Sequence, residues 1–177
     1  MTTTNQVDSS KQTLPPLDDT KLPIDLTGQV KFATPTDEDM GLIAALRSSS
    51  VPWKDRNEKV TESLEALTKL RPFIQVGKFN GNVIGYVTIE RDGPVPGAAY
   101  MRNIVVTPPL QKRGVGTMLL NRSLEVARDM NRKTLALRVD PANAPAVSFY
   151  RKAGFTTVAT VVSKKSGKLR LLMSREL

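Results

Sequence analysis

The chain has 177 residues, of which 40% are hydrophobic and 24% are charged, and its formal net charge is +9. This length suits one globular domain with a tail, and it suffices to bury a core without disulfides. Cysteine and histidine are both absent, which excludes a thiolate nucleophile and a Ser-His-Asp triad and leaves only carboxylates for zinc. The basic balance favours anionic ligands, although a well-solvated surface explains it equally well.

The first 28 residues differ in composition from the rest. They are rich in Thr, Asp and Pro, hold two lysines against four aspartates, and show no sustained periodicity. We predict a disordered or loosely attached arm over residues 1–28 and a single folded domain over residues 29–177. The chain has neither an apolar run long enough to span a bilayer nor a signal-peptide pattern. We therefore expect a cytoplasmic protein without membrane contact.

The first half of the domain is predicted to hold a short strand, two helices and a hairpin. The strand covers residues 30–33, the first helix follows a Thr36 cap, and the second helix ends before Pro72. Three acids follow Thr36, where the start of a helix favours them. Asn80-Gly81 separates two strands, 73–79 and 83–90, and is a strong hairpin signal because both residues tolerate positive φ.

The second half is predicted to contain one strand-helix-strand crossover and a final hairpin. Its elements are a strand over 99–106, a helix to about residue 130, a strand over 134–139, a short helix over 146–152 and two strands over 155–162 and 169–174. This order predicts an α+β domain on a single mixed, mostly antiparallel, twisted sheet of six to seven strands with about four helices.

The segment between the 99–106 strand and its helix carries the clearest functional signal. Two prolines end the strand, and Gly114 and Gly116 stand where the helix begins. Glycine allows a ligand to approach the backbone closely, and the first N–H groups of a helix attract anions. Lys112 and Arg113 add positive charge, so this segment predicts a diphosphate site. A tight strand-to-helix turn is the alternative, since the P-loop lysine and the third glycine of the dinucleotide fingerprint are missing.

Two motifs here resemble the GNAT superfamily of acetyl-CoA-dependent N-acyltransferases. Gln111, Gly114 and Gly116 match its Gln/Arg-x-x-Gly-x-Gly/Ala signature, and the second motif follows some 30 residues later. That motif comprises Asn143, Ala146, Phe149, Tyr150, Gly154 and Phe155. The resemblance is specific over residues 99–155. It implies that an acetyl group moves from acetyl-CoA to an amine by direct attack in a ternary complex, with no metal.

The resemblance also implies which residues bind the coenzyme. The strand before the loop would splay from its neighbour, so that the backbone of Ile104, Val105 and Val106 faces the pantetheine arm and the thioester oxygen. The pyrophosphate would be held by the main chain of Gln111, Lys112, Arg113, Gly114, Val115, Gly116 and Thr117. The far side of the coenzyme would be lined by Asn143, Ala146 and Tyr150.

The expected catalytic residues are Tyr150 and Glu90. Tyr150 would protonate the departing thiolate, although it could instead be an aromatic cap on the sheet. An amine near pKa 10.4 is almost fully protonated at neutral pH, so it must lose a proton before attack. Glu90 and Asp140 are the candidate bases, with water as a relay. Glu90 could equally be a solvated strand end, and Asp140 could cap a turn.

The acceptor is expected to contact the loop between the first two helices and the final hairpin. Trp53 could line its pocket or belong to the core, and Lys164, Lys165 and Lys168 are interpreted as a solvated hairpin tip. A small-molecule amine, an amino acid or a protein amino group would each serve as acceptor, and a homodimer is possible. The alternative function is a non-catalytic acyl-CoA-binding sensor or scaffold. Low aromatic content and the lack of a reading motif argue against nucleic acid.

Overall fold

Seven strands form one mixed sheet in the structure, a computed structural model that describes residue 26, residues 28–164 and residues 166–177. The strands are β1 (Lys31–Ala33), β2 (Ile74–Phe79), β3 (Asn82–Glu90), β4 (Ala99–Val106), β5 (Thr134–Val139), β6 (Thr156–Val162) and β7 (Leu169–Glu176). Their order across the sheet is β1-β2-β3-β4-β5-β7-β6, and of these neighbours β4 and β5 alone run parallel. The predicted mixed, mostly antiparallel sheet is confirmed.

Four α-helices accompany the sheet in the described part of the chain: α1 (Asp37–Ser48), α2 (Val60–Thr68), α3 (Val115–Asp129) and α4 (Ala144–Lys152). Thr36 caps α1 as predicted, because its hydroxyl oxygen accepts from the Asp39 N–H at 3.2 Å while its own N–H donates to the Asp39 carboxylate at 2.9 Å. This reciprocal pair is a capping box. The predicted arm lies outside the described residues except for Leu26 and Gly28, and Leu26 is buried.

The helices divide between the two faces of the sheet. Residues of α1 and α2 form one core cluster with β2 and with Val83, Tyr86 and Val105. Residues of α3 and α4 form a second cluster with the opposite side chains of β3, β4, β5 and β7. We refer to these sides as the α1/α2 face and the α3/α4 face. The alternation of side chains along each strand directs successive residues to opposite faces.

Strands β4 and β5 separate part of the way along the sheet. They pair from Ala99 to Met101 on β4, and the rest of β4 has no partner in β5. The register between β3 and β4 shifts at the same place, since Thr88 faces Asn103 whereas Ile89 faces Met101. Arg102 is the extra residue of this bulge, and a bulge bends the strand that carries it. The result is a wedge-shaped gap between β4 and β5 that opens toward the C-terminal end of β4.

The element boundaries follow the prediction closely, with one informative difference at α4. Helix α4 begins at Ala144, two residues earlier than predicted, because Asn143 caps it and a proline in the first turn is tolerated. In α2, Leu67 is buried, but Val60 and Leu64 are exposed, so that face of the helix lies mainly in solvent. No helix in the described part of the chain is long and apolar enough to cross a membrane.

Candidate active site

The loop between β4 and α3 turns sharply around the end of the gap. A short 3₁₀ turn from Pro108 to Leu110 follows β4, and Leu110 is fully buried beneath it. Gln111 fixes the loop to the strand, since its side-chain amide donates to the carbonyl oxygen of Val106 at 3.2 Å. Lys112 and Gly114 both have positive φ, 62° and 82°. Residue 114 therefore favours glycine, while Lys112 adopts the left-handed conformation at some cost.

The start of α3 presents N–H groups that have no acceptor among the described residues. Gly114 is the N-cap and provides no side-chain cap, and the first hydrogen bond spanning the helix start joins the Met118 N–H to the Gly114 oxygen at 3.0 Å. The N–H groups of Val115, Gly116 and Thr117 thus lie at the positive end of the helix without an intrahelical partner. Such a helix start binds phosphate groups.

The glycines leave space that the protein itself does not fill. A Cβ atom built on Gly114 would have nothing within 4 Å, and one built on Gly116 would make only ordinary contacts, with Phe149 at 3.7 Å and Val106 at 3.9 Å. The packing of the protein around residue 116 therefore does not require glycine there. Close approach of a ligand to the backbone does explain it.

The part of β4 that follows Met101 has no partner strand in β5, and on that side the Gln111 side chain bonds to the Val106 carbonyl oxygen. The Thr107 N–H donates to the Ile84 carbonyl oxygen of β3 at 3.0 Å. Because backbone groups alternate in direction along a strand, those of Val105 also point to β3, whereas those of Ile104 and Val106 point into the gap. The structure thus brings Ile104 and Val106 to the predicted position by their backbone groups, but it directs the Val105 backbone toward β3.

Tyr150 lies on α4, on the α3/α4 face. It is 7% exposed and packs against Phe149 and Phe155, with ring centroids 5.3 and 5.9 Å away. No hydrogen bond of its hydroxyl to any described residue is present. Burial raises the pKa of the Tyr150 phenol, which keeps it neutral across the physiological range. Tyr150 is therefore both an aromatic packing residue and a group able to donate a proton.

Two predicted polar residues have structural roles at the start of α4. The Asn143 side-chain oxygen accepts from the Ala146 N–H at 3.2 Å and caps the helix. Asp140 accepts from the Ala142 N–H at 3.0 Å and forms an ion pair with Arg170 at 2.8 Å. Asp140 thus caps the turn, which is the alternative that the sequence left open. Asn143 thus fixes the start of α4, which follows the end of β5.

Glu90 lies on the other face of the sheet from Tyr150. Its carboxylate forms an ion pair with Arg102 at 2.6 Å and remains 20% exposed. Alternation from Val87 and Ile89, which belong to the α3/α4 core, directs Glu90 to the α1/α2 face. The predicted acid and the predicted base thus lie on opposite faces of the sheet.

Sequence reasoning missed a polar network on the α1/α2 face. Arg47 of α1 forms an ion pair with Glu58 at 2.7 Å, with side chains 10% and 13% exposed, and Ser63 of α2 donates to the same carboxylate at 2.7 Å. The guanidinium of Arg47 also lies 4.6 Å from the Trp53 ring centroid. Trp53 therefore joins the edge of the core and fixes the loop between α1 and α2. No local sequence pattern predicts these contacts.

The comparisons with known proteins agree with this architecture. Residues 41–155 match the model of the acetyltransferase (GNAT) family. An N-alpha-acetyltransferase of Sulfolobus acidocaldarius is 29% identical over 140 residues, which cover 73% of this chain and 80% of that protein. Ard1 from Thermoplasma volcanium superposes with a TM-score of 0.69 at 20% identity, covering 84% of this chain and 98% of that one.

A second solved structure shows the same fold with a ligand. Arabidopsis thaliana Naa50, in complex with the bisubstrate analogue CoA-Ac-MVNAL, superposes with a TM-score of 0.63 at 20% identity, covering 84% of this chain and 99% of that one. The family match spans more than half of the chain, and it contains the loop and the gap described above. This protein therefore belongs to the GNAT family of acetyltransferases.

Proposed function

We propose that this protein transfers the acetyl group of acetyl-CoA to a primary amine by direct attack in a ternary complex. The observation that carries the proposal is the continuity of two open backbone surfaces, the start of α3 and the gap side of β4. The first suits a pyrophosphate and the second suits the amide-containing arm of a coenzyme. The Naa50 complex supports direct transfer, because its ligand joins coenzyme A, an acetyl group and a peptide in one molecule.

In this proposal the main chain of residues 111–117 binds the pyrophosphate, with charge from Lys112 and Arg113. Ile104 and Val106 pair with the pantetheine arm as a neighbouring strand would. Asn143 and Ala146, at the start of α4, line the other side of the coenzyme. A metal is not required, since the helix start and the two cations neutralise the phosphates.

The chemistry follows from these positions. The amine nitrogen attacks the thioester carbon, a C–N bond forms, and an N–H group on the gap side of β4 stabilises the oxyanion. The C–S bond then breaks, and Tyr150 gives its proton to the leaving sulfur. A buried site disfavours the thiolate as well as the phenolate, so burial does not by itself oppose this transfer. The proton lost by the amine passes through water to Glu90 or to solvent.

A non-catalytic acyl-CoA sensor is the alternative. Such a module needs the loop but does not need a phenol as proton donor, so the proposed acid role of Tyr150 separates the two functions. The cytoplasmic location and the homodimer stay predictions.

The test is a thiol-release assay with acetyl-CoA and a panel of amines, run on the parent and on Tyr150→Phe. We expect kcat to fall about 10²- to 10⁴-fold, the range for loss of a general acid, while calorimetry shows unchanged acetyl-CoA affinity. Tyr86→Phe is the matched control, because Tyr86 is also a buried tyrosine but belongs to the core on the α1/α2 face. Acetyl-CoA binding without turnover of any amine would support the sensor.

A further inference from the structure

Two buried polar side chains on β3 and β4 each have an atom with no hydrogen-bond partner among the described residues. Thr88 is fully buried and Asn103 is 8% exposed, and they face each other directly across the two strands. Neither the Thr88 hydroxyl oxygen nor the Asn103 side-chain nitrogen has a partner within the described residues. Buried polar groups in native proteins are almost always paired, so an unpaired amide donor indicates a site for a water or a ligand oxygen.

These two side chains lie where an acceptor would approach the gap. Tyr86 and Val105, two residues away on each strand, belong to the core under α1, which places Thr88 and Asn103 on the α1/α2 face. Asn103 also directly follows Arg102, the bulge residue at which β4 leaves β5. The proposed coenzyme residues of α3 and α4 occupy the other face. The Asn103 side chain is thus positioned at the base of the gap, opposite the proposed coenzyme side.

Arg138 brings an uncompensated positive charge to the same place. It follows Leu137, the last β5 residue that pairs with β4, and by alternation it shares the α1/α2 face with Ala136, which pairs with Tyr100. Its side chain is exposed and forms no ion pair with a described residue. Nearby, Glu90 is already paired with Arg102.

Tyr100 shows that these charges lie near one another, because all three act on its phenol. Burial raises the pKa of Tyr100, while Arg138 and Arg102 act to lower it and Glu90 acts to raise it. The three charged groups therefore surround one phenol. Since Glu90 and Arg102 neutralise each other, Arg138 is the charge in this cluster that has no counter-ion among the described residues.

We propose that Arg138 and Asn103 bind a carboxylate of the acceptor, an inference that rests on the proposed function. The acceptor is then an amine with a carboxylate close to it. A guanidinium and an amide N–H group suit the oxygens of a carboxylate. Two sources supply this chemistry: a free α-amino acid, and a peptide N-terminus with an acidic second residue. Polyamines and other polycations would be repelled by Arg138.

The test compares acceptors that differ only in this charge. Free α-amino acids are assayed beside their carboxamides, and the peptide amide Ala-Glu-Ala is assayed beside Ala-Gln-Ala. In the parent we expect one of the acidic forms to have a kcat/KM about tenfold or more above its neutral partner, as a charge-assisted hydrogen bond supplies. The arm in which the preference appears identifies the source of the carboxylate.

Variants show whether Arg138 and Asn103 cause the preference. Arg138→Gln should abolish it, mainly through a higher KM, and Asn103→Asp should weaken acidic acceptors further by repulsion. Arg128→Gln is the control and should keep the preference, because Arg128 is also exposed and unpaired but lies at the far end of α3. Equal rates for acidic and neutral forms, or a preference that survives Arg138→Gln, would overturn the inference.

Failure of the inference can be distinguished from failure of the proposed function. If acetyl-CoA binds and other amines are acetylated but no acidic acceptor is preferred, the carboxylate site is wrong and the acetyltransferase stands. If acetyl-CoA does not bind, the proposed function fails and the inference fails with it.

Discussion

The two faces of the sheet differ in which part of the chain they offer to a ligand. On the α3/α4 face the proposed coenzyme site consists mainly of backbone groups: the gap side of β4 and the start of α3. On the α1/α2 face the proposed acceptor site consists of side chains. Glu90 is paired to Arg102, whereas the Thr88 hydroxyl and the Asn103 side-chain nitrogen have no partner among the residues that the structure describes. Backbone groups are fixed by the fold, whereas side chains change with single substitutions. The first site therefore depends on space, and the second depends on charge and pairing.

Filling the space at the start of α3 should have the largest effect. Gly116→Glu places a carboxylate where the pyrophosphate is proposed to bind, and we expect acetyl-CoA affinity to fall about 100-fold or more, since an uncompensated like charge in a contact site costs several kcal/mol. Calorimetry measures the acetyl-CoA affinity of the parent and of the variant. The matched control is Thr61→Glu, because Thr61 is the second residue of α2 as Gly116 is of α3, and it is exposed on the other face.

Comparing the two variants separates an effect of net charge on acetyl-CoA affinity from a local effect at the start of α3. If Thr61→Glu weakened binding as much as Gly116→Glu, the effect would be one of net charge, and the start of α3 would lose its special role. If neither variant changed the affinity, the coenzyme would bind elsewhere.

Breaking the Arg47–Glu58 pair should have the next largest effect, this time on stability. Glu58→Gln leaves Arg47 buried without its counter-ion, and we expect the free energy of unfolding to fall by about 2–3 kcal/mol. Urea denaturation measures the change. Glu125→Gln is the control, because its pair with Arg122 leaves the glutamate 58% exposed, and it should cost less than about 0.5 kcal/mol. Equal losses would mean that the Arg47 network does not stabilise the α1/α2 face.

The smallest predicted effect concerns the pH dependence of stability. Burial raises the pKa of Tyr86, only partly offset by Arg47, so the native state keeps this proton when the unfolded chain loses it near pH 10. The contribution of the neutral Tyr86 phenol to the free energy of unfolding is complete below pH 10 and is lost as the pH rises above it. Between pH 10 and pH 11, the free energy of unfolding should fall by about 1 kcal/mol less in Tyr86→Phe than in the parent. Unfolding experiments at the two pH values measure this difference. Parallel losses in the two proteins would contradict the raised pKa.

The same contrast between the faces explains what could be predicted from the sequence. The loop from Gln111 to Gly116 and the Asn80-Gly81 turn are local, because positive φ and close backbone approach require particular residues at particular places. Their prediction needed no knowledge of distant contacts. The family match over residues 41–155 confirmed the expected fold and the enzyme class.

The α1/α2 face depends on contacts that sequence spacing does not reveal. The Arg47–Glu58 pair joins α1 to the loop before α2, and the Glu90–Arg102 pair joins two strands at a bulge. The bulge at Arg102 has no glycine or proline to signal it, and it is identified only from the register of β3 against β4. Arg138 lies on a predicted strand, but only the folded chain shows that it has no counter-ion among the described residues.

The central claim is that acetyl-CoA occupies the gap between β4 and β5 and the start of α3, and amide hydrogen exchange tests it most directly. With saturating acetyl-CoA we expect slower exchange at Ile104, Val106 and the N–H groups of residues 112–117, while β2 on the far side of β3 is unchanged. Unchanged exchange at these N–H groups, together with saturable acetyl-CoA binding that slows exchange elsewhere in the protein, would contradict the account.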